Sequence, residues 1–116
     1  MERQRRRVAP DLRELAAKYM DEHGSRKKSG FNDEILWRRH LLPRLGGNQV
    51  GSLSHEQVRL FHSGHPRPVT ANRAVEVLSK AMVLAEQWGW REPGTNPCEG
   101  LKAHPERKRR RYLDED

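Results

Sequence analysis

The chain has 116 residues, of which 34% are hydrophobic and 34% are charged, and its formal net charge at pH 7 is +7. This length supports one domain with a modest core, and a basic balance of this size favours a polyanionic partner. The single cysteine excludes an internal disulfide, and no apolar run approaches the roughly 18–20 residues of a membrane span. We therefore expect a cytoplasmic protein that binds nucleic acid, with no membrane partner.

The chain opens with a basic arm, residues 1–10, which we expect to be flexible. Asp11 is suited to cap a first helix, "DLRELAAKYMDEHG", which Gly24 would close. The apolar residues of this segment recur at i, i+3, i+4 and i+7, which is typical of an amphipathic helix with one buried stripe.

Two more helices are predicted between residues 32 and 64. The second would begin near Asn32, run through "DEILWRRHLL" and stop around Pro43, because proline fits poorly inside a helix. The third, "LSHEQVRLFHSG", carries a capping box, with Ser54 as N-cap and Gln57 three residues on, and Gly64 marks its end.

The fourth predicted helix is "TANRAVEVLSKAMVLAEQWG", with Thr70 as its cap. Its apolar stripe covers more than half of its circumference, which is typical of a central helix packed on by several others. Its narrow polar side holds Asn72, Arg73 and Lys80. No segment alternates as a β-strand does, so we expect an all-α, compact bundle over residues 11–104.

No reaction centre is recognisable in the sequence. His55 and His62 are seven residues apart, two helical turns or roughly 10 Å, too far to share one metal ion. Cys98 lies in a proline-rich loop with no obvious activating histidine. We therefore expect no catalytic residues, no metal site and no cofactor.

Basic residues carry the functional signal. The run "PERKRRR" either solvates a linker or contacts phosphates, since closely spaced cations release the counterions condensed on DNA. Asn72 and Arg73 at a helix entrance are suited to base edges or phosphates, where the helix dipole favours anions.

The order of these motifs resembles the N-terminal core-binding domain of phage-type integrases, the tyrosine recombinases. The similarity covers about residues 11–116. The matching segments, in chain order, are "LRELAAKYMDEH", "RRHLLPRLG", "VGSLSHEQVRLFH", "TANRAVEVLSKAMVLAEQWGW", "NPCEGL" and "ERKRRRYLDED".

The resemblance implies a four-to-five helix, SAM-like orthogonal bundle that forms half of a C-shaped clamp around double-stranded DNA. The catalytic domain of the same parent chain would be the other half, and other recombinase protomers would share the DNA. Helices 2 and 4 would face the major groove and the backbone. With the basic run included, the residues expected at DNA are Lys27, Lys28, Arg38, Arg39, Thr70, Asn72, Arg73, Lys80, Arg107, Lys108, Arg109, Arg110 and Arg111.

The resemblance also implies that this chain does not catalyse recombination by itself. Residues 105–116 would be the linker and the start of the catalytic domain, so the family's two arginines, lysine, histidine and tyrosine nucleophile would lie beyond Asp116. Tyr112 falls in the linker and is not that nucleophile. Two alternatives stay open: a helical protein-interaction module with solvating charges, and an RNA- or single-strand-binding domain that stacks bases on tryptophans.

Overall fold

Four helices make up the fold in a computed structural model, which describes residues 9–23 and 30–106. Helix α1 is Leu12–Glu22, α3 is His55–Gly64 and α4 is Pro68–Gln87. Helix α2 has three consecutive parts, α-helical Gly30–Ile35, π-helical Leu36–Leu41 and α-helical Leu42–Leu45. The described residues contain no strand, so the predicted all-α bundle is confirmed.

Local capping explains where α1 and α3 begin. The Asp11 carboxylate accepts the Glu14 N–H at 3.0 Å, and the Glu14 carboxylate accepts the Asp11 N–H at 3.2 Å. Ser54 and Gln57 make the same reciprocal pair at the start of α3. Each box satisfies two backbone donors that the helix cannot satisfy itself, which confirms both predicted starts.

Helix α2 continues two residues past the predicted stop at Pro43. In the π-helical part the Leu42 N–H bonds to the Trp37 carbonyl, five residues back, so the helix is wider just before the proline. This widening accommodates a ring that would otherwise clash with the carbonyl of the preceding turn. The chain then turns at Gly46, outside the helix.

Helix α4 begins earlier than predicted. Its N-cap is Arg67, which makes no side-chain capping bond, and Pro68 is the first helical residue, so the prediction of Thr70 as the cap is wrong. Proline suits this position because its fixed φ is already helical and its missing N–H needs no partner there. Thr70 therefore lies within the first turn.

Helix α4 is the centre of the bundle, as its wide apolar stripe predicted. It packs on α1, α2 and α3, and its buried residues include Ala71, Ala74, Leu78, Ala81, Met82 and Ala85. Truncating a fully buried leucine such as Leu78 to alanine costs about 2–5 kcal/mol in comparable cores. Such packing fixes the exposed faces of α4 relative to α2.

The segment after α4 runs back along that helix. The Asn96 side chain donates to the Ser79 hydroxyl at 3.1 Å and accepts the Cys98 N–H at 2.9 Å. Cys98 is buried beneath this turn, and burial raises the pKa of its thiol to about 12. A thiol with such a high pKa stays protonated and unreactive at neutral pH, as expected for a packing residue.

Candidate nucleic-acid interface

A groove of about 520 Å³ separates α2 from α4 on the surface of the bundle. Ile35, Leu36 and His40 line it from α2, and Thr70, Arg73 and Lys80 line it from α4. The two helices expected to face DNA therefore border one continuous depression. Arg73 and Lys80 lie on it together, as their spacing along the helix predicted, and Thr70 lies beside them.

Another polar side of α4 is covered by residues 88–106, which follow this helix and which we call the exit segment. Asn72 is 4% exposed, although it was predicted to contact DNA beside Arg73. Its side chain lies in a hollow with Ser79, Cys98 and Leu101 and does not line the groove. Consecutive helical positions diverge by about 100°, so Asn72 and Arg73 face different neighbours, and the prediction for Asn72 is corrected.

Asn72 anchors the exit segment. Its Oδ1 accepts the His104 N–H at 2.9 Å and the His62 Nε2–H at 2.8 Å. Its Nδ2 donates to the His104 carbonyl at 3.0 Å and to the Glu106 carboxylate at 2.9 Å. The His104 ring stacks on His62 with centroids 3.8 Å apart and donates to the His62 carbonyl. All four hydrogen-bonding positions of the amide are thus filled within the protein.

Arg73 lies on the groove but has acidic neighbours. Its guanidinium is 3.8 Å from the Glu76 carboxylate and 3.6 Å from that of Glu106, and its side chain is 52% exposed. Pairs this exposed are weak, so a phosphate can displace them. The Glu106 contact nevertheless lowers the positive potential at this end of the groove.

The surface around His40 carries three more cations. Arg39, Arg44 and Arg67 are exposed, and no described residue forms an ion pair with them. All three lower the pKa of His40, in addition to the larger effect of its burial. Guanidinium groups gathered around one imidazole favour the approach of an anion. We call Arg39, Arg44 and Arg67 the arginine cluster.

His40 and His65 form a hydrogen-bonded pair beside the arginine cluster. The His40 Nδ1 is 3.0 Å from the His65 Nε2, and the His65 Nδ1 accepts the Arg67 N–H at 3.0 Å. Burial lowers the pKa of His65, and His40 and Arg44 lower it further, while the hydrogen bond from the Arg67 backbone partly opposes this shift. Both rings are therefore held neutral at pH 7.

The structure describes only some of the other residues that were predicted to contact DNA. Arg38 is exposed and lies 4.0 Å from the Glu34 carboxylate, a loose pair within one helix. Arg39 and Lys80 are exposed. The remaining predicted residues lie outside the described residues: Lys27, Lys28, Arg107, Lys108, Arg109, Arg110 and Arg111.

Sequence reasoning missed Arg44, Arg67 and the histidine pair. His40 and His65 are 25 residues apart, and nothing in their local patterns connects them. The "HPRPV" segment did contain a signal, because Pro68 at the first helical position places Arg67 at the helix entrance. Arg44 follows Pro43, where the helix was expected to have ended.

Metal ligation, base stacking and membrane insertion each require particular features of the part of the chain described. No group of three or more His, Cys, Asp or Glu residues there could hold a metal ion. Trp37 is 2% exposed, and Trp88 and Trp90 pack edge to face with centroids 5.5 Å apart. None of the helices formed by the described residues has the length and apolarity that crossing a membrane requires.

Comparisons with known proteins give no relative for this chain. No family model, no curated protein and no solved structure matches it. Its function is therefore argued from its own residues and geometry.

Proposed function

We propose that this chain is a non-catalytic module that binds duplex DNA for a site-specific tyrosine recombinase. It would contact core-site DNA through α2 and α4 during DNA integration or recombination. The observation that carries the proposal is the arginine cluster, three exposed guanidinium groups that form no ion pair with a described residue and that surround His40, a residue of the groove wall. Guanidinium groups suit phosphates because their planar donors match the phosphate oxygens.

The rigidity of the groove supports binding to a regular double helix. Helix α4 is buried along most of its length, and Trp37 and Leu41 of α2 are 2% and 0% exposed. Side chains on two such fixed helices keep a constant spacing. A preformed surface binds the repeating phosphates of a duplex with little loss of conformational entropy.

Single-stranded nucleic acid is a weaker candidate on this surface. Binding of single strands relies on exposed aromatic rings that stack with bases. Trp37 is buried, and Lys18 lies over the Trp88 ring at 4.7 Å while Trp90 packs on its edge. The described tryptophans are thus engaged with the protein itself.

A salt titration with charge-neutral variants tests the proposal. Duplex binding would be measured by fluorescence anisotropy between 50 and 200 mM salt, a window in which electrostatic binding changes steeply. If four to six phosphates are contacted, log K should fall against log salt with a slope of about −4 to −5. Replacing Arg39 or Arg67 by Gln should weaken binding and make the slope shallower by about 1.

Arg59→Gln is the matched control, because it removes the same charge from α3. Arg59 is exposed and already paired with Glu56 at 2.6 Å, and it does not line the groove. Equal losses from Arg59→Gln and Arg39→Gln would mean that net charge matters and the groove does not. No duplex binding by the wild-type protein at the lowest salt would favour the protein-interaction alternative.

The recombinase part of the proposal has its own test. The coding sequence downstream of Asp116 should encode an arginine, a lysine, a His-x-x-Arg motif and a later tyrosine, in that order. Duplex binding without such a series would leave a DNA-binding protein and remove the link to recombination.

A further inference from the structure

A chain of hydrogen bonds fixes the tautomers of His40 and His65. A backbone N–H can only donate, so the Arg67 N–H makes the His65 Nδ1 an acceptor. The neutral His65 ring then carries its hydrogen on Nε2 and donates it to the His40 Nδ1. His40 in turn must carry its own hydrogen on Nε2.

The last donor in this series of hydrogen bonds is the Nε2–H of His40, a residue that lines the groove. His40 lines the groove, and no described residue accepts a hydrogen bond from its Nε2–H. Thr70 lines the same groove, in the first turn of α4, where the helix dipole favours anions. His40 therefore offers a donor that no described residue uses, beside the arginine cluster and the entrance to α4.

Burial, and to a smaller extent the surrounding charges, keep the pair neutral. The arginine cluster lowers the pKa of His40. The walls of the groove also hold two cations and two carboxylates. Those wall residues are Arg73, Lys80, Asp33 and Glu76. Adding a proton to either ring would also break one of the two hydrogen bonds, since the Nδ1 atom of each ring already accepts one.

We propose that His40 binds a DNA phosphate through its Nε2–H, as a neutral donor that His65 holds in the correct tautomer. The inference rests on the proposed function and adds a contact that the charge pattern alone does not reveal. A group that only donates requires a partner that accepts, and phosphate oxygens are the acceptors that the arginine cluster would draw to this part of the groove. His65 is a positioning residue, because it acts on the phosphate through His40.

The tautomers can be tested without DNA. Long-range ¹H–¹⁵N correlation spectra at pH 7.5 should show both rings protonated on Nε2 and unprotonated on Nδ1. In His65→Phe, which keeps an aromatic ring at that position, His40 should become a mixture of tautomers. His65→Gln should restore the Nε2 form, because its amide can accept from Arg67 and donate to His40. A His40 ring protonated on Nδ1 in the wild-type protein would overturn the inference.

Duplex binding then tests the contact. His40→Phe should weaken binding about three- to tenfold, the range of one hydrogen bond. The salt slope should stay that of the wild type, because no charge is lost, whereas Arg39→Gln should make it shallower. His65→Phe should weaken binding by a smaller factor, and His65→Gln should recover the loss. Wild-type affinity in His40→Phe, or a slope that becomes shallower by about 1, would contradict a neutral donor.

A readout on the wild-type protein keeps the test independent of how the variants fold. Adding duplex should shift the His40 Nε2–H resonance and leave unchanged the Nδ1–H resonance of His55, which donates to the Pro97 carbonyl. An unshifted His40 in a protein that binds duplex would refute this contact and leave the proposed function standing. Failure of the wild-type protein to bind duplex at all would refute both.

Discussion

Replacing Asn72 by Ala is the perturbation that best separates a structural role from DNA contact. The side chain makes four hydrogen bonds of 2.8–3.0 Å, to His62, Glu106 and both backbone groups of His104. Alanine removes all four and also leaves the His62 Nε2–H without its acceptor. His62 is 4% exposed, so water cannot easily replace that acceptor.

The expected loss of stability follows from these environments. An unsatisfied buried donor costs about 1–3 kcal/mol, and each ordinary hydrogen bond contributes about 0.5–1.5 kcal/mol. The His104 and Glu106 groups are partly exposed, and water offsets much of their loss. We therefore expect Asn72→Ala to lower the free energy of unfolding by about 2–4 kcal/mol. In a domain of this size each kcal/mol lowers Tm by roughly 4–8 °C.

Urea denaturation followed by circular dichroism measures this loss, with Arg73→Ala as the control from the adjacent position. Arg73 is 52% exposed and forms only long ion pairs among the described residues, so its removal should cost less than about 1 kcal/mol. Arg73→Ala should instead weaken duplex binding. A loss below about 0.5 kcal/mol in Asn72→Ala, accompanied by weaker DNA binding, would refute the anchoring role and restore the contact predicted from sequence.

Three further predictions concern charge, pH and the thiol. Glu106→Gln should tighten duplex binding about two- to fivefold in anisotropy assays, because it removes a carboxylate 3.6 Å from Arg73, and unchanged affinity would count against that competition. Folding lowers the pKa of His40 and His65 below 6.5, so the unfolded chain takes up protons first on acidification. The free energy of unfolding should therefore have its full value above about pH 6.5 and decrease as the pH falls below it. The decrease should be less steep in His65→Gln, and a wild-type stability that does not change with pH would contradict this reasoning. Cys98 should react with a thiol reagent only as fast as the protein opens, and rapid labelling of the folded protein at pH 7.5 would disprove its burial.

Features that depend on neighbouring residues could be predicted from the sequence. Asp11 and Ser54 start their helices through partners three residues away, and the stripe of α4 depends on its own periodicity. The start of α4 was misplaced because Thr70 is a good cap in isolation. Pro68 and Arg67 make an earlier start equally acceptable to the backbone.

Features that depend on distant partners could not be predicted in the same way. Asn72 looks like a surface residue until the exit segment covers it, and its partners at His104 lie 32 residues away. The pairing of His40 with His65 depends on how α2 packs beside the entrance to α4. The two helices named from the sequence do border one groove, whereas Arg44, Arg67 and the histidine pair beside it were found only from the structure.

The most direct test of the central claim is a map of backbone amide shifts as duplex DNA is added to the ¹⁵N-labelled protein. The groove between α2 and α4 predicts that the perturbed amides cluster at residues 35–44 and 67–80, with the largest changes around the arginine cluster. Shifts concentrated on α1 or on the exposed face of α3, or no shifts at low salt, would contradict it.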